Sequence, residues 1–280
     1  MHGFRARAAR TWPRWIVGAL LALLLFSALS VLSETPRTDR DWFPYLSRTA
    51  EVERDGAEVR VSPVSDWRYV PEGPAAEVWT EAAFDPDALR RLWFVLEPQP
   101  GSTIAAHTFL LFEFAGDRFL GLTIEARRER DEPYSAVRGV FRAFELAYHW
   151  GTARDLLTRR ARWLDHEVYV YPVRIDAVPL RALLDRLLDE TATLARSPRF
   201  YNTLFSNCTN ELAKAAGLSW TPEFILTGGA DEFLFEEGFI PAPDFETARA
   251  RADLTAWLLE AGDTDFDARL LSELRSRHAL

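Results

Sequence analysis

The sequence predicts an α+β domain carried behind one N-terminal transmembrane helix, and three observations lead to that reading. From Trp15 to Ser33 run nineteen residues without a charge, about 28 Å of helix against a hydrocarbon core of ~30 Å. Two apolar, β-rich runs, 106–114 and 118–125, flank a Gly-containing turn at 115–117, the pattern of an antiparallel hairpin. Beyond Pro179, apolar residues recur at helical spacing. Strands followed by helices indicate an α+β domain with an antiparallel sheet packed on helices.

The elements follow in chain order. After a short stem holding Trp42, Phe43 and Tyr45, alternation over 57–62 and the apolar run 92–96 predict short strands. The 106–125 hairpin is the clearest element. Val137, Val140, Phe141, Phe144 and Leu146 fall at helical intervals and predict a helix within 135–146. Glu167–Tyr171 reads as a strand closed by Pro172. Leu180, Leu183, Leu184, Leu187 and Leu188 form one apolar helix face. A second helix starts at an N-cap, Ser206 or Asn207, and stops at Gly217. A short helix over 231–237 and one or two amphipathic helices over 244–278 complete the chain. The domains are therefore a cytoplasmic N-terminus, 1–14; a transmembrane anchor, 15–33; a main domain, 34–243; and a C-terminal helical extension, 244–280.

Charge sets the orientation and removes one class of partner. Arg5, Arg7, Arg10 and Arg14 precede the apolar span, and no acid stands before Glu34. The positive-inside rule then places the N-terminus in the cytoplasm. In a Gram-negative bacterium the main domain is periplasmic, held at the inner membrane by a single pass. The alternative is a cleaved signal peptide, whose apolar region stops at ~7–15 residues; the length here favours the anchor. The whole chain carries −9, and the part beyond the span is more anionic still, which argues against nucleic acid as a partner. With 48% hydrophobic residues the chain can build a core, and a single cysteine cannot staple it.

That cysteine, Cys208, stands at the first turn of a predicted helix, where free N–H groups and the positive dipole end stabilise a thiolate. Two readings stand: a reactive thiol, or a small buried hydrophobe. An unpaired thiol in an oxidising compartment is a liability unless it is used or well hidden. A nucleophile also needs a base. His2 is cytoplasmic, His278 lies near the end, and His149 and His166 fall in arginine-rich stretches expected to be exposed, which leaves His107. A hairpin loop centred on Gly116 sets His107 and Glu125 opposite each other. A carboxylate beside an imidazole fixes its tautomer and completes a nucleophile, base and orienter set; the other reading of Glu125 is an ordinary exposed strand acid. No metal site and no cofactor is indicated, since no ligand pair stands at the usual spacing.

The blocks Ala106-His107-Thr108-Phe109, Ile124-Glu125-Ala126-Arg127-Arg128-Glu129, Tyr148-His149-Trp150-Gly151-Thr152 and Tyr201-Asn202-Thr203-Leu204-Phe205-Ser206-Asn207-Cys208-Thr209 resemble the DUF4105 family, the Lnb N-terminal periplasmic domain, over about Trp42 to Pro241. More distantly, Tyr201, Asn207, Cys208 and Asn210-Glu211-Leu212 are similar to lecithin:retinol acyltransferase-like enzymes of the permuted NlpC/P60 papain-like superfamily. In that superfamily the histidine strand precedes the cysteine helix. The distant group often has a second histidine where this chain has Glu125.

The resemblance implies a permuted papain-like domain over 34–243 and acyl transfer through a Cys208 thioester. Cys208 attacks a phospholipid ester, His107 takes and returns the proton, and the acyl chain passes to an amine such as a lipoprotein N-terminus. Tyr201 and Asn207 then belong to the substrate site. Arg127 and Arg128 are expected to grip the phosphate, although an arginine pair at a strand end is also an ordinary solvated edge. Two other classes remain open: a cysteine peptidase or amidase acting on cell-wall peptide, and a non-catalytic, membrane-tethered interaction module.

Overall fold

The computed structural model describes Gly18 and residues 33–218 and 227–279. The chain forms two units, Met1–Pro36 and Arg37–Leu280. Of the predicted anchor only Gly18 and Ser33 are described, so that span lies otherwise outside the described residues. Among these, no helix is long and apolar enough to cross a membrane.

The second unit is mixed α+β. Its strands are β1 (Glu51–Asp55), β2 (Glu58–Ser65), β3 (Arg68–Val70), β4 (Gly73–Ala76), β5 (Trp79–Phe84), β6 (Leu89–Pro98), β7 (Ala106–Phe114), β8 (Arg118–Arg127), β9 (Glu145–Gly151) and β10 (Tyr169–Val173). The main sheet runs β1-β2-β9-β8-β7-β6-β10, with β5 also paired to β2 and the β3-β4 hairpin separate. Strands β2 and β9 are parallel; the other pairs are antiparallel. The helices are α1 (Ala136–Val140), α2 (Ala153–Thr158), α3 (Ala177–Arg196), α4 (Cys208–Ala216), α5 (Ala230–Glu236), α6 (Phe245–Ala252), α7 (Thr255–Glu260) and α8 (Phe266–His278).

Helices cover both faces of the sheet, which is why β6 and β7 read as continuous apolar runs. Successive strand side chains point to opposite faces, so Leu92, Phe94, Leu110 and Phe112 join one core with Leu184, Leu187 and Leu188 of α3 and Leu212 of α4. Trp93, Val95, Phe109 and Leu111 join a second core with Leu156 and Leu157 of α2, Leu258 of α7 and Leu270 and Leu274 of α8.

The predicted hairpin forms in the expected register: Phe109 faces Thr123 and Phe114 faces Arg118. Its turn needs the left-handed region twice, at Gly116 (φ 80°) and Asp117 (φ 55°), a conformation that suits glycine and that aspartate tolerates. Two expectations are corrected. Only Ala136–Val140 of the predicted 135–146 helix is helical, because Leu146, Tyr148 and Trp150 alternate into the core as β9. The C-terminal segment makes three helices, broken at Asp253 and between Glu260 and Phe266.

Candidate active site

Cys208 is the first residue of α4, and the chain before it is held from several directions. The Asn207 side chain caps the helix, accepting from the Asn210 N–H at 2.8 Å, and Gly217 closes it at φ 76°. Asn207 Nδ2 donates to the Thr203 carbonyl at 2.9 Å. The buried Glu211 carboxylate accepts from Ser206 Oγ at 2.6 Å, Lys214 Nζ at 2.8 Å and the Tyr148 hydroxyl at 3.0 Å. These bonds fix the loop and the helix start as one body. First-turn N–H groups lack intrahelical acceptors, so the thiol sits at the positive end of a well-anchored helix.

His107 reaches Cys208 from β7. The β7-β8 ladder ends at Phe109 and Thr123, and the side chains beyond it still converge. His107 Nε2 lies 2.6 Å from Thr123 Oγ1 and 3.2 Å from Glu125 Oε1, while the Thr123 hydroxyl donates to Glu125 at 2.8 Å. His107 and Cys208 line the same cavity, and each acts on the other's ionisation: the imidazolium favours the thiolate and the thiolate favours the imidazolium. The sulfur lies 3.8 Å from Thr209 Oγ1, and the Thr108 hydroxyl lies 2.9 Å from that same oxygen, tying β7 to α4.

The electrostatics favour an ion pair. Burial opposes charge on His107, but Glu125 and Cys208 outweigh it and raise its pKa to about 10. Burial likewise opposes the thiolate, yet His107 and the Thr108 hydrogen bonds lower Cys208 to about 7. Glu125, against its own burial, is held well below the usual carboxylate range by His107 and Arg160. Arg160 is itself only 2% exposed. Its Nε meets Glu97 Oε2 at 2.8 Å and its Nη2 meets Glu125 Oε1 at 3.4 Å. Glu97 in turn meets His166 Nδ1 at 2.5 Å.

A cavity of about 430 Å³ opens on this cluster, lined among others by Cys208, His107, Glu125, Tyr201, Asn207 and Arg128. The Tyr201 hydroxyl lies 3.3 Å from that of Tyr134. Burial first, then the Cys208 charge, raises its pKa, so it stays protonated as a potential donor.

Arg127 does not line this cavity. It is the last residue of β8, and it donates to the carbonyls of Leu46 and Ser47, both at 2.8 Å, and to Thr49 Oγ1 at 3.0 Å. It braces the stem rather than facing a ligand, which corrects the expectation that both arginines grip substrate.

Two histidines expected to be exposed are not. His149 is buried against Tyr45 and bonded to Ser65 Oγ at 2.8 Å, its pKa lowered to about 3 by burial. His166 lines the cavity. Sequence reasoning missed Glu97, Thr123, Arg159 and Arg160. Glu97 pairs with His107 across β6 and β7, so a register for that second ladder would have found it. Among the described residues no group of three or more His, Cys, Asp or Glu is arranged to hold a metal ion.

No curated protein and no solved structure matches the chain. The description "Lnb N-terminal periplasmic domain" matches residues 75–236, more than half the chain, from β4 to the end of α5. That span contains His107, Glu125 and Cys208, so the chain belongs to the Lnb N-terminal periplasmic domain family.

Proposed function

We propose that this chain is a periplasmic thiol acyltransferase, held at the inner membrane by its 15–33 segment, that moves an acyl chain from a phospholipid to an amine such as a lipoprotein N-terminus. The observation that supports it most is a thiol at a helix start that shares one cavity with an imidazole whose Nε2 meets a carboxylate at 3.2 Å. In chain order the histidine strand precedes the cysteine helix, the arrangement of a permuted papain-like domain. An enzyme built this way begins as thiolate and imidazolium.

The Cys208 thiolate attacks the ester carbonyl, and the carbon–sulfur bond forms. As the tetrahedral intermediate collapses, the carbon–oxygen bond breaks and His107 gives its proton to the departing lysophospholipid oxygen. The acceptor amine then attacks the thioester, neutral His107 takes the amine proton, and Cys208 leaves as thiolate. The Cys208 N–H and the Tyr201 hydroxyl are suited to stabilise the oxyanion. Glu125 and Thr123 hold the imidazole, and Arg160 holds Glu125.

A second reading, hydrolysis of cell-wall peptide, is favoured by the polar walls of the cavity, which include Gln99, Thr203 and Asn207. The two are separated by incubating full-length protein with a phospholipid and a synthetic diacylglyceryl-cysteine peptide bearing a free α-amine. Acyl transfer gives lysophospholipid and N-acyl peptide in equal amounts, both abolished by Cys208→Ser. Release of free fatty acid alone, or cleavage of a muropeptide instead, contradicts it.

A further inference from the structure

Two arginines that line the Cys208 cavity do not touch the nucleophile or the imidazole: Arg128, the one of the expected phosphate-gripping pair that faces it, and Arg159, which the sequence did not single out. Arg160 is neutralised by Glu97 and Glu125, but among the described residues neither Arg128 nor Arg159 has a carboxylate partner. Both stand over aromatic rings. The Arg159 guanidinium carbon stands 4.4 Å from the Tyr45 ring centre and 4.9 Å from that of Trp163, and Arg128 stands 5.6 Å from that of Phe43. Arg159 Nε is buried without a hydrogen-bond partner, a cost that a bound acceptor would relieve. Arg159 opens a π-helical turn, Arg159–Trp163, which lets consecutive arginines serve different ends. Arg160 goes to the buried carboxylates, while Arg159 keeps a face on the cavity.

A guanidinium held over an aromatic ring can make paired bonds to a phosphate through its outer N–H groups; Arg128 Nη1 donates only a long bond, 3.4 Å, to the Glu132 carbonyl. We propose that Arg128 and Arg159 form an anion clamp for the phosphodiester of the acyl donor, set in the same cavity as the nucleophile. This rests on the phospholipid reading above and supplies its specificity. In a glycerophospholipid the scissile ester lies a few bonds from the phosphate, so one cavity of about 430 Å³ is large enough to take both. The clamp selects lipids with a phosphate over neutral glycerides with the same chains.

The test measures binding of the full-length Cys208→Ala protein, which cannot turn over, to detergent micelles containing dioleoylphosphatidylglycerol or dioleoylglycerol. The expected preference for the phospholipid is about tenfold or more. It should be lost when Arg128→Gln and Arg159→Gln are combined. Arg159→Lys, which keeps the charge and the fold but not the fork, should retain part of it, and so should Arg128→Gln alone. An unchanged preference in the double variant, or no preference at all, overturns the clamp. Inorganic phosphate that displaces the lipid at equal concentration makes the free ion the ligand and overturns the lipid assignment. Acylation of Cys208 in the wild type is scored separately. Arg-dependent binding without acylation refutes transfer and leaves the clamp; acylation indifferent to both arginines refutes the clamp and leaves transfer.

Discussion

His107 Nε2 and Glu125 Oε1 are 3.2 Å apart, although the ladder joining their strands has already ended at Phe109 and Thr123. The contact is therefore made by side chains across a splayed strand end, where Thr123 fills the gap and α4 presents Cys208. Glu125, His107 and Cys208, from three elements, come together where β7 and β8 stop pairing with each other, although each stays paired to its other neighbour.

The first consequence is a reactive thiol. Alkylation of Cys208 by iodoacetamide should show an inflection near pH 7, set by the His107 imidazolium. His107→Asn removes that charge and should move the inflection upward toward or above the ordinary thiol value of ~8.5, since burial is then opposed only by Thr108. A wild-type thiol that resists alkylation in the folded state would mean that Cys208 is a core residue, as in a non-catalytic module.

The pH profile of turnover follows from the same pair. The active form needs a deprotonated Cys208 and a protonated His107, so kcat/KM should rise through about 7 and fall through about 10. Steady-state rates between pH 5 and 11 check both limbs. A single limb with its midpoint in the ordinary histidine range would show that a neutral imidazole acts as base on an uncharged thiol.

Thr123 is a positioning residue. Thr123→Val removes the hydroxyl that accepts from His107 at 2.6 Å and donates to Glu125 at 2.8 Å. The expected loss in kcat is about tenfold with KM unchanged, accompanied by an upward shift of the Cys208 alkylation midpoint. Thr123→Ser should restore both. A loss of thermal stability alone, with kcat intact, would make the contact merely structural.

Gly228 holds the start of β7 in place. A Cβ there would stand 2.6 Å from the Thr103 carbonyl oxygen and 3.0 Å from Ile104 Cα, backbone atoms that cannot swing aside. Neighbouring Thr227 Oγ1 accepts from the Ala106 N–H at 2.9 Å, one residue before His107. Gly228→Ala should cost about 1–3 kcal/mol in a denaturant titration and reduce activity by more than that destabilisation explains. Unaltered kinetics would separate this strap from the site.

The hairpin and the cysteine helix were legible because local chemistry determines them. Gly116 and Asp117 set the turn, Asn207 and Gly217 set the helix ends, and no distant residue is needed to read either. What tertiary packing decides was not legible. Arg159, Arg160 and His149 sit in arginine-rich stretches that resemble surface, yet burial on both faces of the sheet draws Arg160 to Glu97 and His149 to Ser65. The apolar spacing over 135–146 fits a helix, and only pairing of β9 with β8 shows that its later half is strand. Arg127 and Arg128 are adjacent in sequence, yet Arg127 ends β8 and binds the stem while Arg128, just past the strand, lines the cavity, and where β8 ends is decided by its pairing with β9.

The most direct test is the intact mass of full-length protein after incubation with dioleoylphosphatidylglycerol and no amine acceptor. One oleoyl group per chain is expected, mapped to Cys208, released by hydroxylamine and absent from Cys208→Ser and His107→Asn. A protein that binds the lipid and has an alkylatable Cys208, yet never carries an acyl group, would contradict it.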